Sequence, residues 1–172
     1  MNRRTLLTGL ASLPVLPLFS GFTLAADSPL SAQSPTRLAH PPDYWRDKVS
    51  AEAWKVLFEE ATERPGSSPL DQLYAPGSYL CAACYLPLFR SEDKYDSGTG
   101  WPSFTQPIEN ALGTKLDFKL LWPRTEYHCA RCGGHQGHVF NDGPAPLGKR
   151  WCNNGVALRF VPADQPLPPL RG

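Results

Sequence analysis

The sequence predicts a mainly β, loop-rich domain led by one helix, and three observations carry that expectation. Helical periodicity is confined to residues 51–61. Beyond it, short apolar runs alternate with Gly, Pro, Asn and Asp. Proline occurs 19 times and glycine 14 times in 172 residues, with 41% of residues hydrophobic. That balance suits strands and turns better than a helical bundle, and the length favours a single core.

Ser50 is placed to cap a helix opening at Ala51, in which Trp54, Leu57, Phe58 and Ala61 recur at helical spacing. Pro65-Gly66 closes it. The runs at Tyr79-Leu80, Leu116 to Trp122 and Val156 to Val161 read as strands of an antiparallel sheet. Pro162 to Gly172 is Pro-rich and reads as a frayed end.

The first residues read as an address, not as structure. Arg3 and Arg4 precede an apolar run that carries no charge before Asp27 and closes on Ala25-Ala26. This predicts a signal peptide at 1–26 and an exported, periplasmic protein. Adjacent arginines point to the twin-arginine route, although Asn2 and the lack of a Lys after the leucines depart from that motif. Pro14 and Pro17 break the run, so no stable membrane span is expected. A flexible linker at 27–42, a domain at 43–164 and a tail at 165–172 complete the organisation. Net charge is +1 with no basic stripe, which argues against nucleic acid as a partner.

Four of the five cysteines form two tight pairs, Cys81-Ala-Ala-Cys84 and Cys129-Ala-Arg-Cys132. Each such turn presents two thiolates, and two turns complete a tetrahedron suited to zinc. With no open position, one such ion per chain would be structural. An oxidising destination leaves two disulfides as an alternative. A second ligand set, Cys129, Cys132, His135 and His138, would leave Cys81 and Cys84 without a role.

Cys152 is the unpaired thiol. It follows Lys149-Arg150-Trp151, where cations can stabilise a thiolate, and so is a candidate nucleophile; the alternative is a buried inert thiol. His135 and His138, three apart, suit an acid–base pair, or else are loop histidines satisfied by backbone. Trp101 lies in Ser97-Gly98-Thr99-Gly100-Trp101-Pro102-Ser103-Phe104. Pro102 holds it extended and the glycines let backbone approach a pocket; core packing is the alternative.

Taken together, five runs identify a resemblance. They are Cys81-x-x-Cys84, Leu88-Phe89, Lys94-Tyr95-Asp96-Ser97-Gly98-x-Gly100-Trp101-Pro102-Ser103-Phe104, the stretch Cys129-x-x-Cys132-x-x-His135-x-Gly137-His138-Val139-Phe140-x-Asp142-Gly143-Pro144, and Arg150-x-Cys152-x-Asn154. In this order they resemble the type B methionine-R-sulfoxide reductases, over roughly residues 45 to 162.

The resemblance implies two small antiparallel sheets around a structural zinc held by Cys81, Cys84, Cys129 and Cys132. It implies that Cys152 attacks the sulfur of methionine R-sulfoxide in oxidised proteins or peptides. His135 and His138 would polarise and protonate the oxygen, Asn154 would position it, and Trp101 would pack the substrate methyl group. Many members place a resolving cysteine where this chain has Thr99, and no sixth cysteine exists. Reduction by an external thiol, from a thioredoxin-like protein or a small thiol, is therefore expected, in a monomer. Two other readings remain at this stage: a zinc-stabilised binding module without turnover, and a dithiol oxidoreductase using its C-x-x-C pairs.

Overall fold

Ser50 caps the helix as its position suggests: its hydroxyl accepts from the Ala53 N–H at 3.1 Å, opening α1 (Ala51–Glu59). The helix buries Ala53, Trp54, Val56 and Leu57. It stops two residues before Ala61, because Glu60 turns into the left-handed region (φ 56) and the Ala61 N–H folds back on the Lys55 carbonyl. Lys115 and Lys119 both grip the Glu60 carboxylate at 2.5 Å, an anchor from a distant hairpin that no local rule announces.

The computed structural model describes residues 34–119 and 122–172. The predicted signal at 1–26, and residues 27–33 of the predicted linker, lie outside the described residues. Nine strands follow α1: β1 (Gly77–Cys81), β2 (Pro87–Arg90), β3 (Lys94–Tyr95), β4 (Ser103–Phe104), β5 (Leu112–Asp117), β6 (Arg124–Cys129), β7 (His135–Phe140), β8 (Arg150–Asn153) and β9 (Leu158–Pro162). They form a three-stranded sheet in the order β2-β1-β9 and a six-stranded sheet in the order β3-β4-β8-β7-β6-β5, antiparallel throughout. Among the described residues the fold is mainly β, with two antiparallel sheets and one α-helix.

Aromatic side chains from both sheets make the core between them. Phe89 of β2 stacks on Phe104 of β4 with centroids 4.1 Å apart, and Tyr79 of β1 meets Phe104 edge-on at 5.0 Å. Tyr127 of β6 bridges to Phe89 and Trp151. All but Trp151 are fully buried.

Two expected strands are displaced from the apolar runs that suggested them. The run from Leu116 leaves the sheet after Asp117, whose carboxylate accepts the Lys119 N–H at 2.9 Å and turns the chain. Phe118 and Trp122 are exposed instead. The run from Val156 begins as a 3-10 turn (Gly155–Ala157) before β9.

Residues 165–172 have no regular structure, yet they are not frayed. The Arg171 guanidinium donates to the carbonyls of Ala82 and Ala83, both at 2.7 Å, and its N–H donates to Cys84 O at 3.0 Å. Arg131, from the second cysteine turn, donates to Arg171 O at 2.6 Å and Gly172 O at 3.2 Å. The Arg131 carbonyl accepts from Leu38, which pins part of the expected linker. Among the described residues, no helix is long and apolar enough to cross a membrane.

Candidate active site and metal centre

The two cysteine turns close the ends of different sheets. Cys81 ends β1 and Cys129 ends β6. Folding brings the four buried sulfurs within 4.8 Å of one another, with Cys81–Cys132 at 3.6 Å and Cys84–Cys129 at 3.5 Å. A disulfide needs about 2.0 Å, whereas four sulfurs at about 2.3 Å from a tetrahedral ion sit roughly 3.8 Å apart. No disulfide joins any of the five cysteines. Burial pushes the Cys81 and Cys129 thiols up, so a cation among them is what favours thiolates here. The donors therefore fit a tetrathiolate-bound metal. Among the described residues this is the one His, Cys, Asp or Glu group placed to hold an ion, and neither histidine joins it.

A second centre lies on the six-stranded sheet. Cys152 of β8 is directly opposite His138 of β7 on one side and Ser103 of β4 on the other. In that register all three side chains share a face. Gly137 makes the approach possible, since a Cβ there would lie 1.9 Å from the Cys152 carbonyl oxygen. A cavity of about 220 Å³ opens over Cys152, lined by Trp101, His138, Asn154, Thr99, Arg150 and others. Gly98 (φ 68) and Gly100 (φ 84) shape the turn that delivers Thr99 and Trp101 to its rim.

His135 is placed differently. Gln136 is an extra residue in β7, because Tyr127 pairs with Gly137 while His128 pairs with His135. This bulge brings His135 onto the same side as His138, with ring centroids 5.4 Å apart. His135 is nevertheless 98% buried behind His138 and faces a separate polar cavity beside Cys132. Its Nδ1 lies 3.0 Å from Oε1 of Glu126, out of hydrogen-bond alignment, so neither ring nitrogen completes a hydrogen bond.

His138 is tied more tightly. Its Nε2 is 2.7 Å from Oδ2 of Asp117, which Arg124 also reaches at 2.7 Å. The Lys119 N–H, His138 and Arg124 hold the Asp117 carboxyl below the ordinary carboxylate range. An ionised Asp117 assigns the Nε2 proton to His138 and leaves Nδ1 as the titrating nitrogen. Burial lowers the His138 pKa; the Asp117 bond opposes that fall.

The Cys152 environment departs from the expectation based on neighbouring cations. Lys149 turns away to Asn141 at 2.5 Å. Burial pushes the Cys152 thiol up, against the lowering influence of the Arg150 charge and of the polar groups of Thr99 and Ser103 nearby. Arg150 is itself fixed by a bidentate bond to Asp142, at 2.9 and 2.8 Å.

Asn154 lines the cavity, but its amide is engaged: Oδ1 accepts from Glu63 N at 3.0 Å and Nδ2 donates to Gln136 O at 2.9 Å. The Trp101 indole donates to the Glu63 carbonyl at 3.2 Å. Asp117, Arg124, Glu126 and Glu63 were not singled out from sequence. Burial of the three acids, visible only after folding, marks them, and Arg124 is marked by its ion pair with Asp117.

A thiol, an imidazole backed by a carboxylate, and an indole around one cavity, in a chain that also groups four cysteines to hold a metal, fit a thiol-dependent reductase. The SelR domain model matches residues 49–162, and the chain belongs to that family. It is 48% identical over 119 residues to the peptide methionine sulfoxide reductase MsrB of Saccharophagus degradans, covering 69% of this chain and 89% of the relative. The namesake from Bradyrhizobium diazoefficiens is 47% identical over 121 residues, 70% of this chain and 87% of the relative. The chloroplastic peptide methionine sulfoxide reductase B1 of Arabidopsis thaliana is 46% identical over 117 residues, 67% of this chain and 58% of the relative.

Proposed function

We propose that this protein is a peptide methionine sulfoxide reductase acting on the R epimer in oxidised proteins or peptides. Family membership supports the reaction class, and one juxtaposition supports the chemistry: Cys152 opposite His138 in a cavity walled by Trp101.

At neutral pH burial leaves Cys152 a thiol and His138 a neutral imidazole. The proton that Cys152 must lose is the proton the sulfoxide oxygen must gain, and His138 is placed to carry it. The thiolate attacks the substrate sulfur, the oxygen passes to Cys152 Sγ, and methionine leaves. Cys152 remains as a sulfenic acid. Trp101 faces the methyl group, with Asn154 and His138 on the oxygen side, so one epimer fits. His135, expected to share the proton transfer, is buried and packs edge-on against His138, so His138 carries that role and His135 backs its ring.

The sulfenic acid condenses with an external thiol, releasing water, and a second thiol takes over the mixed disulfide to restore Cys152. A thioredoxin-like protein or a small thiol supplies both equivalents. The other four cysteines are grouped to hold the metal, and Thr99, which lines the same cavity as Cys152, carries no sulfur with which to resolve it. The tetrathiolate donors suit one structural zinc, which when bound cross-links the two sheets. The signal at 1–26 sends the domain at 43–164 to the periplasm as a monomer.

Turnover of stereopure methionine sulfoxides with dithiothreitol tests the reading. Consumption of the R epimer alone, lost in Cys152→Ser, supports it. Binding without turnover would replace it with a non-catalytic module.

A further inference from the structure

Glu63 connects two walls of the cavity without touching its contents. It is 95% buried, in the irregular segment after α1. Its carboxylate accepts the N–H groups of Gly155 at 2.6 Å and Val156 at 2.9 Å, at the start of the 3-10 turn after Asn154. Its backbone faces the other way chemically. The Glu63 N–H donates to Asn154 Oδ1, and the Glu63 carbonyl accepts from the Trp101 indole. Gly155 leaves room for this contact, since a Cβ there would lie 3.3 Å from Glu63 Oε1 and 2.0 Å from Ser68 Oγ.

A buried carboxylate is costly unless its oxygens are satisfied, and here each oxygen takes one backbone donor. The carboxylate thus fixes the position of residue 63 against residues 154–156. The fixed backbone of residue 63 in turn sets the distance between Trp101 and Asn154. These are the methyl wall and the oxygen side of the proposed site. Residue 62, its neighbour, also lines the cavity.

We propose that Glu63 is a positioning residue that sets the width of the substrate slot and so its choice between sulfoxide epimers. The inference rests on the reductase reading above. It assigns Glu63 no contact with substrate and no proton in the reaction.

The test compares wild type, Glu63→Gln and Glu63→Ala on stereopure R and S sulfoxides. In parallel, iodoacetamide alkylation of Cys152 reports on the thiol itself. Loosening a slot by a fraction of an ångström to an ångström is expected to raise KM for the R epimer about tenfold in Glu63→Ala. The R over S preference should fall by a similar factor, with Glu63→Gln intermediate because it keeps one acceptor. The Cys152 alkylation rate should stay within about twofold of wild type by the same reasoning. Should Glu63→Ala not fold, Glu63→Gln alone decides.

Unchanged KM and epimer preference in Glu63→Gln and Glu63→Ala would overturn the proposal. So would a loss of kcat and of Cys152 alkylation together, which would make Glu63 general scaffolding. A wild-type protein that turns over neither epimer would instead remove the reductase reading itself.

Discussion

His138 Nε2 and Asp117 Oδ2 lie 2.7 Å apart, and Arg124 meets the same carboxylate oxygen at 2.7 Å. The imidazole is thereby oriented by a residue from a neighbouring hairpin. Replacing Asp117 by Asn keeps the shape and removes the charge. The Asp117 contact raises the His138 pKa against burial, so its loss lets that pKa fall further. The acid limb of the kcat/KM profile should move to lower pH, and kcat/KM should drop about tenfold to a hundredfold. A profile identical to wild type would contradict this role.

Cys152 should titrate above the ordinary thiol value. Burial favours the thiol, and Arg150 only partly offsets it. Arg150→Ala removes a charge that lowers the pKa, so its midpoint should rise further. The pH dependence of Cys152 alkylation, read by mass, checks both. A wild-type midpoint below neutrality would reverse the sign.

Gly137→Ala should damage stability and activity together. The added Cβ meets the Cys152 carbonyl at 1.9 Å, which separates β7 from β8 where the nucleophile sits. Urea unfolding should show a loss of about 1–3 kcal/mol, the usual range for forced overpacking. Sulfoxide turnover should fall with it.

The metal centre depends on more than its ligands. Arg171 donates to carbonyls of the first cysteine turn, and Arg131 of the second turn donates to the Arg171 and Gly172 carbonyls, so the C-terminal residues tie the two turns together. Arg171→Ala should release bound metal to a chelator about tenfold faster, as loss of an outer partner does elsewhere. Cys84→Ser should lower the thermal midpoint and the metal content together. Metal release at the wild-type rate in Arg171→Ala would show that the clamp is idle.

Legibility followed the range of the interactions involved. Cys81, Cys84, Cys129 and Cys132 could be read because a C-x-x-C turn is a local object, and their convergence requires only that the sheets meet. Cys152 stood out by subtraction, and Trp101 by its glycine and proline neighbours. The location of His135 could not be read, because the bulge at Gln136 exists only when β7 pairs with β6. Asp117 and Arg124 look like ordinary strand residues; their role comes from the register that sets Asp117 opposite Arg124 and turns both toward His138. The end of α1 was missed for a similar reason, since Lys115 and Lys119 reach Glu60 from far along the chain. Proline content suggested a loose end at 165–172, but Arg171 and Arg131 dock it.

The most direct test follows the oxygen through a single turnover. Enzyme mixed with excess methionine R-sulfoxide, without reductant, should yield about one methionine per chain. A sulfenic acid trap should then mark Cys152, with the other four thiols unmodified. An intramolecular disulfide to Cys152, or an unoxidised Cys152 after methionine has formed, would contradict the account.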